Sequence, residues 1–209
     1  MIRLPRLYAI LDSRCFTGTE TLVSAAEELS RAGVLLIQYR NKSGDAAAMF
    51  RQAREMREKL LYTKDATAPR LIMNDRVDLC LAAGYDGVHV GQEDLSAEAA
   101  RKIVGPDRWL GVSTHNPEQV AKADQTSATY IAIGPVFGTF SKANPDPVVG
   151  LDGVRQARGL TRKPLVAIGG LTRQNCLSVI EAGADSVAVI SDLLRDPTKS
   201  AEEFLRILG

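Results

Sequence analysis

A chain of 209 residues is long enough for one substantial core and short for two ordinary domains. With 45% hydrophobic and 24% charged residues it has the balance of a globular enzyme, and a formal charge of +1 gives no global electrostatic reason to expect nucleic acid or a membrane surface as partner. No apolar run approaches the roughly 20 residues that span a bilayer.

The amino-terminal stretch MIRLPRLYAILD lacks the apolar core and small-residue cleavage site of a secretory signal, so a cytoplasmic protein is expected. Cys15, Cys80 and Cys176 are widely spaced and form no CxxC pair, which argues for buried thiols rather than disulfides or zinc.

Along the chain one pattern repeats. Leu7 to Leu11 reads as a short apolar strand ending at Asp12, and Glu20 to Arg31 as an amphipathic helix closed by Gly33. Leu35 to Tyr39 is a second strand leading into Arg40-Asn41-Lys42, and Asp45 to Tyr62 a long helix with Ala47, Ala48, Phe50, Ala53, Met56 and Leu60 toward the core. Leu71 to Met73 and Gly87 to Val90 are strands three and four, with Val77, Leu79, Leu81 and Ala82 at helical spacing between them and Ala83-Gly84 as the stop. Ser96 caps a helix, Trp109 to Val112 is strand five, and Asn116-Pro117-Glu118 opens the next helix with proline in its first turn. Tyr130 to Ile133 is strand six, followed by the long segment GPVFGTFSKANPDPVVG and a helix over Leu151 to Leu160. Leu165 to Ile168 is strand seven, ending in Gly169-Gly170 before a helix over Thr172 to Ala182. Ser186 to Ile190 is strand eight, and Ala201 to Leu208 closes the chain.

Eight strands alternating with helices in about 200 residues predict a single (β/α)8 TIM barrel over residues 1–209. An open doubly wound sheet would have fewer strands and a glycine-rich loop after the first, and no GxGxxG follows Leu11. The barrel carries a positional expectation, because functional residues belong at the carboxyl ends of the strands. Gln38, Arg40 and Lys42 fall at the end of strand two, Asn74 and Asp75 after three, Asp94 after four and Ser113 after five. Thr139, Ser141 and Lys142 follow strand six, Gly169 and Gly170 strand seven, and Ser191 strand eight.

The chemistry of this rim is that of phosphorylated ligands. Two parallel strands joined by a crossover bring Asp75 and Asp94 to the same end although nineteen positions separate them in sequence. Two carboxylates are too few for an all-protein cage, which suits Mg2+ that keeps waters and takes other ligands from phosphate oxygens. Arg40, Lys42 and Lys142 add fixed positive charge, and Asn74 and Ser113 neutral donors, so a diphosphate is indicated. Gly169-Gly170 and Ile190-Ser191, each expected to precede a helix, suggest a second, monophosphate site. No nucleophile is paired with a base, which favours displacement of a diphosphate over hydrolysis. His89 and His115, the only two histidines, read as satisfied rim residues rather than general bases, with His89 inside strand four facing the ligand.

Six segments in order resemble the signature of the thiamine phosphate synthase family: Gln38 to Lys42, Asn74 to Arg76, Gly87 to Asp94, Gly111 to His115, Gly134 to Lys142, and Ala167 to Gly170. The resemblance spans most of the chain. It implies an alkyl transferase that joins 4-amino-2-methyl-5-(diphosphomethyl)pyrimidine to hydroxyethylthiazole phosphate with magnesium, releasing diphosphate and thiamine phosphate. It places Gln38 by the pyrimidine ring, and Arg40, Lys42, Asn74, Ser113 and Lys142 on the diphosphate. Asp75 and Asp94 would hold the metal, and Thr139, Ser141, Gly170, Ile190 and Ser191 the thiazole phosphate. In such enzymes the bond from methylene to diphosphate is thought to break first, giving a cation that the thiazole nitrogen captures. Tyr39, Ser141 and Tyr85 depart from the common pattern of Leu, Thr and a small residue. Two other functions share these features in part. A thiazole tautomerase-like isomerase typically loses the metal carboxylates and diphosphate cations, and a noncatalytic thiamine phosphate sensor would need neither. Oligomeric state is not legible, because exposed and core apolar helix faces look alike in one sequence. The Pro-rich stretch Phe140 to Val149 is expected to form the flap over the site.

Overall fold

The computed structural model describes residues 2–61, 67–139 and 146–209. Eight parallel strands, β1 Leu7–Asp12, β2 Leu36–Arg40, β3 Arg70–Asn74, β4 Gly87–Val90, β5 Trp109–Thr114, β6 Tyr130–Ile133, β7 Leu165–Ile168 and β8 Ser186–Val189, close into a barrel in sequence order. Between and after them run α1 Thr19–Arg31, α2 Ala46–Leu61, α3 Val77–Ala82, α4 Ala97–Val104, α5 Pro117–Asp124, α6 Gly150–Leu160, α7 Cys176–Glu181 and α8 Pro197–Leu208. The (β/α)8 expectation holds.

The two-residue period of the strands divides the core in two. Leu71 and Met73, Val88 and Val90, Leu110 and Val112, and Ile131 and Ile133 point outward and pack under the helices. Tyr8, Ile10, Leu36, Ile72, Trp109, Tyr130, Ala132, Val166 and Ala188 point inward and fill the barrel. Large inward rings need small neighbours. A Cβ on Gly111 would overlap the Tyr130 ring and His89 Nδ1, and one on Gly87 would overlap the Trp109 backbone, so glycine at both positions makes room for bulk on the adjoining strands.

Helix starts follow the cap chemistry. The side chains of Ser96, Asn116 and Asp196 accept from Ala99, Gln119 and Lys199 backbone N–H groups at 3.3, 2.9 and 3.2 Å. Four expectations shift. Leu81 belongs to the helical pattern of α3 yet is turned to solvent at 37% exposure. The seventh helix begins at Cys176 rather than Thr172, because Asn175 holds the intervening turn: its Oδ1 accepts from Thr172 N–H at 2.8 Å and its Nδ2 donates to Gly170 carbonyl at 3.0 Å. The eighth helix begins earlier than expected, at Pro197, in the first-turn position that proline favours. Ile190 and Ser191 lead into a turn spanning 191–195 instead of directly into that helix.

Tyr39 and Tyr85, which depart from the family pattern, both lie outside the barrel against α2. The Tyr39 hydroxyl donates to Gln52 Oε1 at 2.6 Å, and the Tyr85 hydroxyl to Ala53 carbonyl at 3.3 Å. Their bulk fills the seam between strands and helix, on the face turned away from the barrel interior.

Candidate active site

At the carboxyl ends of the strands lies a cavity of about 530 Å³. Gln38, Arg40, Lys42, Asn74, Asp75, Asp94, Ser113, Thr139, Gly170, Ile190 and Ser191 all line it. Ser141 and Lys142 lie outside the described residues, as does the start of the expected flap.

Inward register places the first layer. Arg40, Asn74 and Ser113 occupy inward positions at the tips of β2, β3 and β5. Arg40 is anchored by an ion pair to Asp12, the last residue of β1 and 2% exposed. Burial alone would raise the Asp12 carboxyl. Hydrogen bonds from the Arg14 side chain and backbone, with the Arg40 charge behind them, outweigh that and hold it below the usual carboxylate range. Sequence reading placed Asp12 at the strand end but gave it no part in the site. A carboxylate buried at the ligand end of a strand, one strand away from Arg40, was the available signal.

The loop after β3 carries the densest charge. Asp75 holds φ +60°, the only non-glycine residue among those described in the left-handed region, and its N–H donates to His89 carbonyl at 2.8 Å. Its carboxylate meets Lys42 Nζ at 2.5 Å and lies within hydrogen-bonding reach of Asp94. Burial, and then the neighbouring Asp94, push the Asp75 carboxyl above its ordinary value against the opposing pull of Lys42. Asp75 neither caps α3 nor pairs with Arg76, whose guanidinium takes Asp78 at 2.5 Å. Asp94 Oδ2 accepts from Gly91 N–H at 2.8 Å, which fixes the loop after β4 around it. Beside the pair, the Nδ2 of buried Asn74 has no hydrogen-bond partner in the structure. A buried donor without a partner costs about 1–3 kcal/mol, so it is held ready for a ligand acceptor.

Across the cavity, the loops after β6 and β7 interlock. Val136 and Phe137 N–H groups donate to Ile168 and Gly169 carbonyls at 2.8 and 3.0 Å. Gly169 and Gly170 hold φ +99° and +62°, and a Cβ on Gly170 would stand 2.5 Å from Gly138 carbonyl oxygen. Glycine is therefore demanded here by backbone conformation and close approach. With α7 starting six residues later, no helix amino terminus follows Gly170 directly. The Gly170 and Ser191 N–H groups donate to no loop carbonyl among the described residues.

The two histidines differ. His89 is buried, with Nε2 2.8 Å from Ser113 Oγ and Nδ1 3.1 Å from the Tyr130 hydroxyl, and burial lowers its pKa to about 4. It is neutral at ordinary pH. His115 Nδ1 lies 2.6 Å from Gly134 carbonyl oxygen, and its Nε2 3.5 Å from Asp146. Contrary to the expectation that no nucleophile is paired with a base, His89 does stand beside the Ser113 hydroxyl. Its other nitrogen meets the Tyr130 hydroxyl rather than a carboxylate, so the third group that orients and charges a nucleophile–base pair is missing. Sequence reading also missed Tyr8, Asp146 and Arg195 in the cavity wall. Tyr8 was hidden inside an apolar run, and the other two follow their strands by too many residues for register to place them.

A family model for thiamine monophosphate synthase matches residues 7–193. The chain belongs to that family. It is 58% identical to the thiamine-phosphate synthase of Koribacter versatilis, with 99% of this chain and 97% of the relative covered. The thiamine-phosphate synthase of Shouchella clausii is 38% identical over 96% of this chain and 94% of its own length. Among solved structures, the thiamine phosphate pyrophosphorylase of Pyrococcus furiosus superposes with a TM-score of 0.84 at 31% identity, covering 97% of this chain and 95% of that one. A 3-hexulose-6-phosphate synthase at 17% identity and TM-score 0.71 shares the fold alone. The six ordered segments that resembled the synthase signature thus belong to a member of that family, an alkyl transferase of thiamine biosynthesis. Among the described residues no helix is long and apolar enough to cross a membrane.

Proposed function

We propose that the cavity condenses 4-amino-2-methyl-5-(diphosphomethyl)pyrimidine with hydroxyethylthiazole phosphate, giving thiamine phosphate and diphosphate. The observation that carries this reading is the convergence on one cavity of Arg40, Lys42, the unpartnered Asn74 amide and the paired carboxylates Asp75 and Asp94. A tautomerase or a sensor has no leaving group to neutralise and no use for this cluster.

The residues present fit a divalent cation. Two half-buried carboxylates in mutual contact, one held above its ordinary pKa, form an electrostatic conflict that a cation would relieve. No group of three or more His, Cys, Asp or Glu side chains gathers among the described residues, so the remaining ligands would be waters and phosphate oxygens, the habit of magnesium. Asp75 and Asp94 would hold it, and when bound it would supply Lewis-acid neutralisation of the diphosphate.

The protein's own groups do the rest. Arg40, kept in place by Asp12, and Lys42 balance charge that grows on the departing diphosphate as the methylene–oxygen bond lengthens. Asn74 and Ser113 donate hydrogen bonds to it, and Lys142 joins them by family resemblance. Gln38 orients the aminopyrimidine, while Thr139, Ser141, Gly170, Ile190 and Ser191 seat the thiazole phosphate so that its ring nitrogen faces the methylene. A bond that breaks before the new one forms needs a site free of water, which the apolar Ile10, Ile168 and Ile190 in the wall favour. Both substrates carry phosphate charges that do not cross a bilayer unaided, which supports a cytoplasmic reaction.

The test is diphosphate release by purified protein given both substrates, with and without magnesium. Release that needs both substrates and the metal, matched by thiamine phosphate in equal amount, is expected. Binding of either compound without release would move the function to isomerisation or sensing.

A further inference from the structure

A file of buried hydrogen bonds crosses the barrel beneath the cavity. Gln38 Nε2 donates to the Tyr8 hydroxyl at 2.7 Å, and the Tyr8 and Tyr130 hydroxyls meet at 2.9 Å. The Tyr130 hydroxyl then meets His89 Nδ1 at 3.1 Å, and His89 Nε2 meets Ser113 Oγ at 2.8 Å. Gln38, Tyr8, Tyr130 and His89 are 3%, 1%, 0% and 7% exposed, so water does not supply alternative partners. The two tyrosine rings pack edge to face at 6.1 Å, and Gly111 is the vacancy that admits Tyr130.

Proton counting restricts this file to two states. Each phenol owns one proton, and both His89 nitrogens face hydroxyls rather than a carboxylate, so the imidazole carries a single N–H. If Gln38 donates to Tyr8, then Tyr8 donates to Tyr130, Tyr130 to His89 Nδ1, and the remaining N–H at Nε2 to Ser113 Oγ. The Ser113 proton is then left for the cavity. If the Gln38 amide is turned over, every donor reverses, and Ser113 spends its proton on His89 and presents only lone pairs to a ligand. Any mixed arrangement strands a buried hydroxyl proton, which costs more than either ordered state.

We propose that Tyr8, Tyr130 and His89 are positioning residues that form a polarised relay, through which an amino group bound at Gln38 sets Ser113 as a hydrogen-bond donor to the diphosphate. The inference rests on the assignment above of the aminopyrimidine to Gln38 and the diphosphate to Ser113. An exocyclic amine requires an acceptor, so it selects the state in which Gln38 Oε1 faces the cavity and Nε2 faces Tyr8. That state is the one in which Ser113 can stabilise the leaving group. Recognition at one side of the cavity thereby prepares chemistry at the other, with no movement of the backbone.

Two measurements test this. The first is the long-range proton–nitrogen spectrum of protein labelled with 15N-histidine, taken with the pyrimidine diphosphate bound and the thiazole absent. The relay requires His89 as the Nε2–H tautomer; the Nδ1–H tautomer overturns it. The second is a double-mutant cycle in kcat between Gln38→Ala and Ser113→Ala, residues separated by three intervening side chains. The double variant is expected to lose about tenfold less than the product of the two single losses. In a Tyr130→Phe background, which keeps the ring and removes one hydroxyl, the two losses should multiply, and Tyr8→Phe should give the same result by an independent cut. A residue that merely packed would lower stability without altering that interaction. Losses that already multiply in the otherwise unaltered protein overturn the relay. Failure of the functional assignment itself would appear earlier and separately, as absence of thiamine phosphate from the unmodified protein.

Discussion

Asp75 pays twice for its place, in backbone conformation and in charge. Its φ of +60° is a region that side chains other than Asn, Asp and Gly seldom enter, and its carboxyl is held above its ordinary value by burial and by Asp94. A carboxyl whose folded pKa is raised binds its proton more readily in the native state. It therefore favours folding at low pH, and that contribution is lost as pH rises from the ordinary carboxylate range through the raised value. Asp75→Asn keeps the backbone fit and removes the charge. We expect this variant to unfold at a higher temperature than the parent in the absence of ligands, with the gap opening as pH rises above about 4, where an unfolded Asp ionises. Magnesium-dependent diphosphate release should fall at least about 100-fold, the size of loss seen when one electrostatic partner of a developing anion is removed. Thermal melts across pH, paired with the release assay, check both. A variant that keeps its rate and its magnesium response would refute the two-carboxylate site. The positions of Asp75 and Asp94 were legible because parallel strands bring their carboxyl ends together whatever the sequence distance. The partner of Arg40 was legible only as a candidate: strand order puts Asp12 at the neighbouring tip, but which cation it turns toward is settled only when β1 and β2 pair.

At the scale of elements, the end of the cavity proposed to take the thiazole phosphate is made by two loops that brace each other. Gly170 has φ +62°, and a Cβ there would press on the Gly138 carbonyl of the loop after β6. We expect Gly170→Ala to raise KM for the thiazole phosphate about tenfold or more while changing KM for the pyrimidine diphosphate less than about threefold. Initial-rate kinetics with each substrate varied in turn would show it, and equal effects on both would disprove a divided cavity. Strand periodicity gave β4, β6 and β7 to the residue, since short apolar runs bounded by turn residues leave little choice. It did not give the start of α7. The expected helical run from Thr172 contained Asn175, whose side chain bonds back to the Thr172 N–H and the Gly170 carbonyl and so competes with the helix. In the proposed assignment the thiazole phosphate would therefore meet loop N–H groups where a helix end was expected.

For the whole molecule, the barrel interior is the constraint that binds distant strands together. Gly111 on β5 faces both Tyr130 and His89, and a methyl group has nowhere to go. Gly111→Ala should destabilise the protein by roughly 3 kcal/mol, the upper range for overpacking a filled core, as read from urea unfolding. A loss below about 1 kcal/mol would mean that the interior yields more than its packing implies. The alternation of apolar residues in the strands announced a barrel, yet it could not announce that the interior carries tyrosines and a histidine joined by hydrogen bonds. Tyr8 and Tyr130 sit in apolar runs where a tyrosine and a phenylalanine look equivalent, and only closure of the sheet brings their hydroxyls together.

The one tryptophan lies at the other pole of this interior. Trp109 opens β5 with its ring facing inward beneath the Arg70 guanidinium at 4.6 Å, four residues and about 13 Å of strand below Ser113. Its emission is thus shielded from whatever enters the cavity and changes when the barrel opens. Fluorescence excited at the indole band serves as an optical thermometer of global unfolding that stays blind to ligand contact, so titrations with either substrate can be followed for stabilisation without a correction for direct quenching.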